Sequence, residues 1–76
     1  MEIRRLTAAA EAQQVQYLRK SASTYLSGQY DWKWIVAIVR HSGLGKREVL
    51  SILMPLKGQG WKSRSHALFI WLEQPE

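Results

Sequence analysis

The stretch from residue 45 to residue 61, GKREVLSILMPLKGQGW, decides how the rest of the chain is arranged. Gly58 and Gly60 end a helix here, because glycine adopts positive φ without steric cost. Pro55 removes one helical hydrogen bond and loosens the last turn. We therefore predict a helix over residues 45–57, the third in the chain. Its apolar residues fall at the i, i+3, i+4 and i+7 spacing of one continuous helical face: Val49, Ile52, Leu53 and Leu56.

Two helices are predicted before this stretch. Thr7 is a suitable N-cap for the first, which follows a flexible arm of residues 1–6 and ends at Gly28. Asp31 caps the second helix, which contains the apolar run 32–39 and stops at Ser42-Gly43. A turn of about four residues joins the second helix to the third, as in a helix-turn-helix. The core face of the first helix is predicted to consist of Val15, Leu18, Ala22 and Tyr25 or Leu26.

The C-terminal part of the chain favours a β-hairpin. Residues 66–72, HALFIWL, are rich in the aromatic and branched side chains that are common in strands. Residues 60–62 would form the pairing strand, with Arg64 at the tip of the turn. We therefore predict an α+β fold that is mainly α, over residues 7–72, with residues 73–76 as a polar tail.

The composition bounds the function. The 76 residues carry a net charge of +5, and the nine Lys and Arg between residues 12 and 72 are opposed only by Asp31 and Glu48. Such a basic body attracts polyanions. The absence of cysteine excludes a disulfide framework and fits a reducing cytoplasm. No signal peptide or membrane-spanning run is predicted.

Enzymatic and metal chemistry find no support in the sequence. His41 and His66 have no further ligand at metal spacing. Lys46 is followed by Arg47 rather than the Ser or Thr of a phosphate-binding loop. Nucleophile elbows and paired carboxylates are also missing. We predict no enzyme, no cofactor, no metal and no small-molecule substrate.

Three helices followed by a short two-stranded β-hairpin wing resemble the winged helix-turn-helix superfamily, over roughly residues 15–72. The most telling segment is EVLSILMPLKGQGW, residues 48–61, and the layout is similar to small prokaryotic regulators such as the fimbrial phase-variation proteins. The resemblance implies duplex DNA binding, with the third helix in the major groove and the wing, residues 62–66, on the DNA backbone. The implied DNA-binding residues, together with weaker basic candidates on the second helix, are Lys33, Arg40, Lys46, Arg47, Leu50, Ser51, Met54, Lys57, Lys62, Ser63 and Arg64.

Several of these residues admit more than one interpretation. Lys46 and Arg47 open the third helix against its dipole, a penalty that a nearby phosphate would explain. Leu50 and Met54 are equally suited to contacting thymine methyl groups, to meeting a protein, or to being covered by the first helix or the wing. Arg64 suits a phosphate clamp, although turn tips are commonly polar.

The predicted function is that of a small duplex DNA-binding regulator or accessory factor, cytoplasmic and encoded by a bacterium or a phage. One short helix reads few base pairs, so specificity requires a homodimer, tandem copies or a protein partner. The alternative is a protein-interaction adaptor that uses the Leu50/Met54 face. A third option is an RNA or single-strand binder, which needs exposed aromatic side chains, with Trp32 and Phe69 as candidates.

Overall fold

The computed structural model describes residues 2–75, with side chains from residue 10 onward. Over these residues it contains no strand. The helices are α1 (Glu2–Leu26), α2 (Trp32–His41), α3 (Lys46–Leu53), a short 3-10 helix (Met54–Leu56) and α4 (Lys62–Glu73). Met1 of the predicted arm and Glu76 of the predicted tail lie outside the described residues.

The predicted β-hairpin wing is wrong, because residues 62–73 form the helix α4. Its buried residues recur at the i, i+3, i+4 and i+7 spacing of one helical face, and this face packs into the core. The Ser65 backbone N–H donates to the Trp61 carbonyl at 2.9 Å, which closes the first turn of the helix. The described fold is therefore all-α, and the α+β winged-helix class is excluded. The buried residues of α4 are Ser65, Leu68, Phe69 and Leu72.

The long helix α1 carries contacts to the other three helices. It begins at Glu2, so Thr7 lies inside the helix and the predicted N-cap there is wrong. After α1 ends at Leu26, Gly28 adopts a φ of 90°, as the predicted stop requires. No helix of the described chain is both long and apolar enough to cross a membrane. The predicted core face is confirmed at Leu18, Ala22, Tyr25 and Leu26, and Val15 is half-buried.

The helices α2 and α3 and the turn between them are confirmed. The carboxylate of Asp31 accepts a hydrogen bond from the Trp34 backbone N–H at 3.0 Å, which caps α2. Residues 42–45 form the turn, with Gly43 at a φ of 76°. After Leu53 the chain tightens into the 3-10 helix that contains Pro55, so the last predicted turn is loosened as expected. Because α3 packs against both α1 and α4, only its remaining face meets solvent.

The start of α4 is fastened to the end of α1. The Trp61 backbone N–H donates to the Leu26 carbonyl at 2.9 Å. This approach requires glycine at position 60, where a Cβ would lie 2.5 Å from the Leu26 carbonyl oxygen. The Trp61 ring in turn lies against Gly28, close enough that a Cβ there would be 3.0 Å from the ring. These contacts fix α4 beside α1 and bring its far end next to α3.

Candidate nucleic-acid interface

Four of the predicted DNA-contacting cations lie along one continuous surface that follows α2, the turn and the start of α3. Lys33 and Arg40 are exposed and seven residues apart on α2, which places them about two turns apart on one face. Arg40 borders a groove on each side, and Lys46 and Arg47 continue the surface. We call Lys33, Arg40, Lys46 and Arg47 the basic strip.

Two of the grooves along the basic strip share Arg40. The α2 groove is lined by Trp32, Lys33, Val36, Ala37, Arg40 and His41. The turn groove is lined by Val39, Arg40, Gly43, Leu44, Gly45, Lys46 and Trp71. Neither groove has an acidic side chain in its lining over the described residues, so the positive potential there is not offset locally.

A third groove, which we call the α3 groove, extends the surface beyond Lys46. Its floor includes Leu50 and Leu72, while Arg47 and Glu73 supply charges of opposite sign. The potential is therefore less one-sided here than in the first two grooves. The basic strip is most strongly positive between Lys33 and Lys46.

Lys46 is held in place by α4. Its side chain is half-buried, and its Nζ lies 4.6 Å from the centroid of the Trp71 ring. A cation–π contact at such a partly exposed position contributes about 0.5–1 kcal/mol, which restrains the ammonium group without removing it from solvent. This contact could not be predicted from the sequence, because no spacing pattern links residue 71 to residue 46.

The N-terminal end of α3 adds positive charge to the basic strip. Gly45 caps α3 without a side-chain hydrogen bond, and Lys46 and Arg47 are its first two residues. Glu48 is the acidic residue in this turn and offsets part of the unfavourable interaction with the helix dipole. The Glu48 side chain lines a groove between α1 and α3, together with Glu11 and Gln14, and not the grooves along the basic strip.

The predicted reading face of α3 is present in part. Arg47, Ser51 and Met54 are exposed, and their i, i+4, i+7 spacing places them on one face. Met54 retains 47% of its surface. Leu50 is half-buried and packs against the core, where it lines the α3 groove with Leu72. Leu50 is therefore partly covered by the fold, and a contact of its remaining surface with DNA or with a protein stays a prediction.

Two other predicted contacts lie on a separate groove between the 3-10 helix and α4. Lys57 and Lys62 both line this groove, with Phe69 at its floor. The Lys57 Nζ is 3.5 Å from the Oε2 of Glu73, so its charge is partly neutralised. Ser63 is exposed in the first turn of α4. The fold does not bring these residues to the basic strip.

Arg64 does not occupy a wing tip but fastens two segments of backbone. Its Nη1 donates to the Tyr25 carbonyl at 3.2 Å and to the Tyr30 carbonyl at 2.6 Å. The guanidinium also lies 4.9 Å from the Tyr25 ring centroid and 5.2 Å from that of Trp61. Burial raises the pKa of Tyr25, and the Arg64 charge opposes that rise. The predicted place of Arg64 at a wing tip is wrong, because its half-buried side chain lies on α4 and donates to these carbonyl groups. A phosphate contact of Arg64 stays a prediction.

The sequence has no significant match among protein-family models, curated proteins or solved structures.

Proposed function

We propose that this domain binds duplex DNA through the basic strip and the exposed face of α3. The observation that carries the proposal is the gathering of four cations on one surface, with two of its grooves free of acidic lining residues. Cations that neutralise phosphates release condensed counterions, and this release supplies most of the affinity of a small basic domain. The sequence-independent part of binding would therefore come from the basic strip.

The spacing of the basic strip suits a phosphate backbone. Lys33 and Arg40 are separated along the α2 axis by about 10 Å, which equals the rise of about three phosphates of one strand when measured along the DNA axis. Arg40 and Lys46 border the same groove, so the turn between α2 and α3 would face the backbone. The first backbone amides of α3, which have no partner within an α-helix, would add to the attraction of a phosphate in this position.

The exposed face of α3 would supply base discrimination. Arg47 has the forked geometry that pairs with a guanine edge, and one such pair discriminates by about 1–3 kcal/mol. Ser51 is suited to a polar base contact and Met54 to the methyl group of thymine. Because α3 has only eight residues, it would read few base pairs, and a second copy or a protein partner would be needed for a unique site.

The alternative function, a protein adaptor that uses Leu50 and Met54, is less well supported. Leu50 is half-buried and packs against the core, so Met54 is the exposed apolar residue of the Leu50/Met54 face. A single exposed methionine is a small apolar contact for a stable complex. The adaptor function also gives no role to the cations of the basic strip.

A cytoplasmic setting, in a bacterium or for a phage-encoded protein, is where a cysteine-free DNA-binding domain would act.

Fluorescence anisotropy of a labelled duplex of about 20 base pairs, measured across a salt series, tests the proposal. Each phosphate contact contributes about −0.9 to the slope of log K against log salt, so the wild type should show a slope of about −3 or steeper. The Arg40→Glu/Arg47→Glu variant should bind more weakly and flatten the slope by about 2.

The matched control is Lys20→Glu/Lys62→Glu, which changes the net charge equally at two exposed positions outside the basic strip. This control should keep most of the wild-type slope. Equal losses in the two variants would mean that net charge rather than the basic strip determines binding. A folded wild type that fails to bind at low salt would contradict the proposal.

A further inference from the structure

Three aromatic side chains are exposed near the end of the basic strip that carries Lys33. Trp61 retains 58% of its surface, Tyr30 retains 53% and Trp32 retains 36%. Large aromatic side chains in a domain of this size are normally buried, and grouped exposed ones mark a binding surface. We call Tyr30, Trp32 and Trp61 the aromatic end.

Contacts with Arg64 and Tyr25 hold the aromatic end together. Arg64 bonds the Tyr30 carbonyl at 2.6 Å and lies 5.2 Å from the centroid of the Trp61 ring. Tyr25, which Arg64 also contacts, has its ring centroid 5.9 Å from that of Trp32. Arg64 and Tyr25 therefore link the two segments of the chain, residues 30–32 and residue 61, that supply the aromatic end.

Tyr30 forms a preorganised stacking surface. Its ring stacks on that of Trp34, with centroids 4.5 Å apart and planes inclined by 23°. This stack fixes the orientation of the phenol ring while more than half of the residue remains in solvent. Another planar ring placed on Tyr30 would extend an existing stack, and little additional side-chain entropy would be lost.

The charges around the aromatic end identify the chemistry of its partner. The exposed Lys33 and Lys62 directly follow Trp32 and Trp61 in the chain, and the nearby Asp31 accepts a backbone hydrogen bond as the α2 cap. Trp32 and Lys33 share the α2 groove with Arg40, so the surface is continuous with the basic strip. Aromatic rings interleaved with cations are the combination that binds a single-stranded nucleic acid, which presents flat bases on an anionic backbone.

We propose that the aromatic end binds the unpaired bases of a single-stranded nucleic acid by stacking. This site is distinct from the duplex-binding surface, although Lys33 borders both. Of the two single-strand candidates expected from the sequence, Phe69 is buried at 3% exposure and lies elsewhere. Tyr30 and Trp61 take its place, and only the fold reveals that they are exposed.

The test is the binding of labelled oligothymidine of about 15 nucleotides, followed by anisotropy and by quenching of tryptophan fluorescence. Replacing Tyr30 with alanine should lower the affinity about tenfold, which is the usual effect of removing one stacking ring. Tyr30→Leu, which keeps apolar bulk on Trp34, should show a similar loss, whereas Tyr30→Phe should bind like the wild type. Tyr17→Ala is the matched control, because Tyr17 is 55% exposed on α1 and outside the aromatic end.

A blunt duplex measured in parallel separates this proposal from the duplex one. Oligothymidine binding that depends on Tyr30, without duplex binding, would support the aromatic end and contradict duplex binding through the basic strip. Duplex binding without oligothymidine binding would support the basic strip and contradict stacking at the aromatic end. Oligothymidine binding that Tyr30→Ala and Tyr30→Leu leave unchanged would overturn the stacking proposal. So would a Tyr30 effect confined to self-association in light scattering, which would make the aromatic end a protein interface.

Discussion

At the level of single residues, Arg64 is a cation whose structural role becomes clear only from its contacts in the fold. By sequence it is one of several cations near a glycine-rich segment. In the fold it joins the end of α1 to the loop before α2, through carbonyl groups 39 and 34 residues away. Hydrogen bonds from a charged donor contribute more to stability than neutral ones, since the acceptor interacts with a full charge. Arg64 is therefore a structural residue beside the aromatic end.

Replacing Arg64 with lysine should lower the free energy of unfolding by about 2 kcal/mol, because an ammonium group cannot reproduce the planar fork of guanidinium. Chemical denaturation followed by circular dichroism measures this loss. The control is Arg47→Lys, at an exposed position on α3, which should change stability by no more than about 0.5 kcal/mol. Similar small effects at both positions would show that Arg64 is not fastened as described.

Alanine substitutions at Gly58 and Gly60 test the close contact between the start of α4 and the end of α1. Gly58→Ala and Gly60→Ala each place a side chain at positive φ, 86° and 73° respectively, which costs about 1–2 kcal/mol. A Cβ at position 58 meets nothing within 4 Å, whereas one at position 60 meets the Leu26 carbonyl. Gly60→Ala should therefore be less stable than Gly58→Ala by about 1–3 kcal/mol in the same denaturation experiment. Equal stabilities would contradict the close approach of α4 to α1.

At the scale of elements, α2 and α3 were predictable because their ends carry local signals. Asp31 caps α2 through its own side chain, and Gly43 and Gly58 adopt the positive φ that ends a helix. These features depend on neighbouring residues alone. The apolar stripe of α3 adds the helical period, with Val49 and Leu53 fully buried. Local physics was therefore sufficient for this half of the chain.

The helix α4 was missed because the composition of residues 66–72 outweighed their spacing. Branched and aromatic residues favour strands only weakly, and packing against neighbouring elements overrides that preference. Ser65, Leu68 and Leu72 already have helical spacing in the sequence, which was the available signal. Ser65 is a buried polar residue whose hydroxyl accepts the Gly58 backbone N–H at 3.0 Å. This hydrogen bond joins residues that only the tertiary structure brings together, so the local sequence pattern does not predict that Ser65 is buried.

Two proline substitutions distinguish a helix from a hairpin in this segment. Lys62 is the first residue of α4 and follows Trp61 in an extended conformation, so Lys62→Pro should be tolerated. Ala67 is exposed in the helix interior, where proline costs about 3 kcal/mol or more. Thermal unfolding should show a large loss for Ala67→Pro and a small one for Lys62→Pro. Comparable losses in the two variants would contradict the helical assignment.

At the scale of the whole molecule, the sequence identified the individual cations but not their grouping. The fold gathers Lys33, Arg40, Lys46 and Arg47 on one surface and assigns Lys57, Lys62 and Arg64 to other places. The position of the second group, and the contact of Lys46 with Trp71, depend on how α4 packs against α1 and α3. The exposure of Trp61 was likewise unpredictable, because hydropathy does not show which tryptophan ring the packed helices leave in solvent.

The same packing gives the molecule two adjoining surfaces with different chemistry. The basic strip presents four cations along one surface, which suits a regular phosphate backbone. The aromatic end presents planar rings among fewer cations, which suits unpaired bases. Trp32 contributes to the α2 groove and also belongs to the aromatic end, so the two surfaces meet there. A nucleic acid with both paired and unpaired segments would be the natural joint ligand of the two proposals.

Duplex binding through the basic strip is tested by a titration of 15N-labelled protein with a blunt duplex, followed by amide chemical shifts. Binding through the basic strip predicts concerted shifts from Arg40 through Arg47, at Lys33 and at Ser51, with little change across residues 62–66. The shifts should diminish when salt is added, since phosphate contacts are screened. Shifts confined to residues 62–66, or no shifts at low salt in a folded protein, would contradict duplex binding through the basic strip.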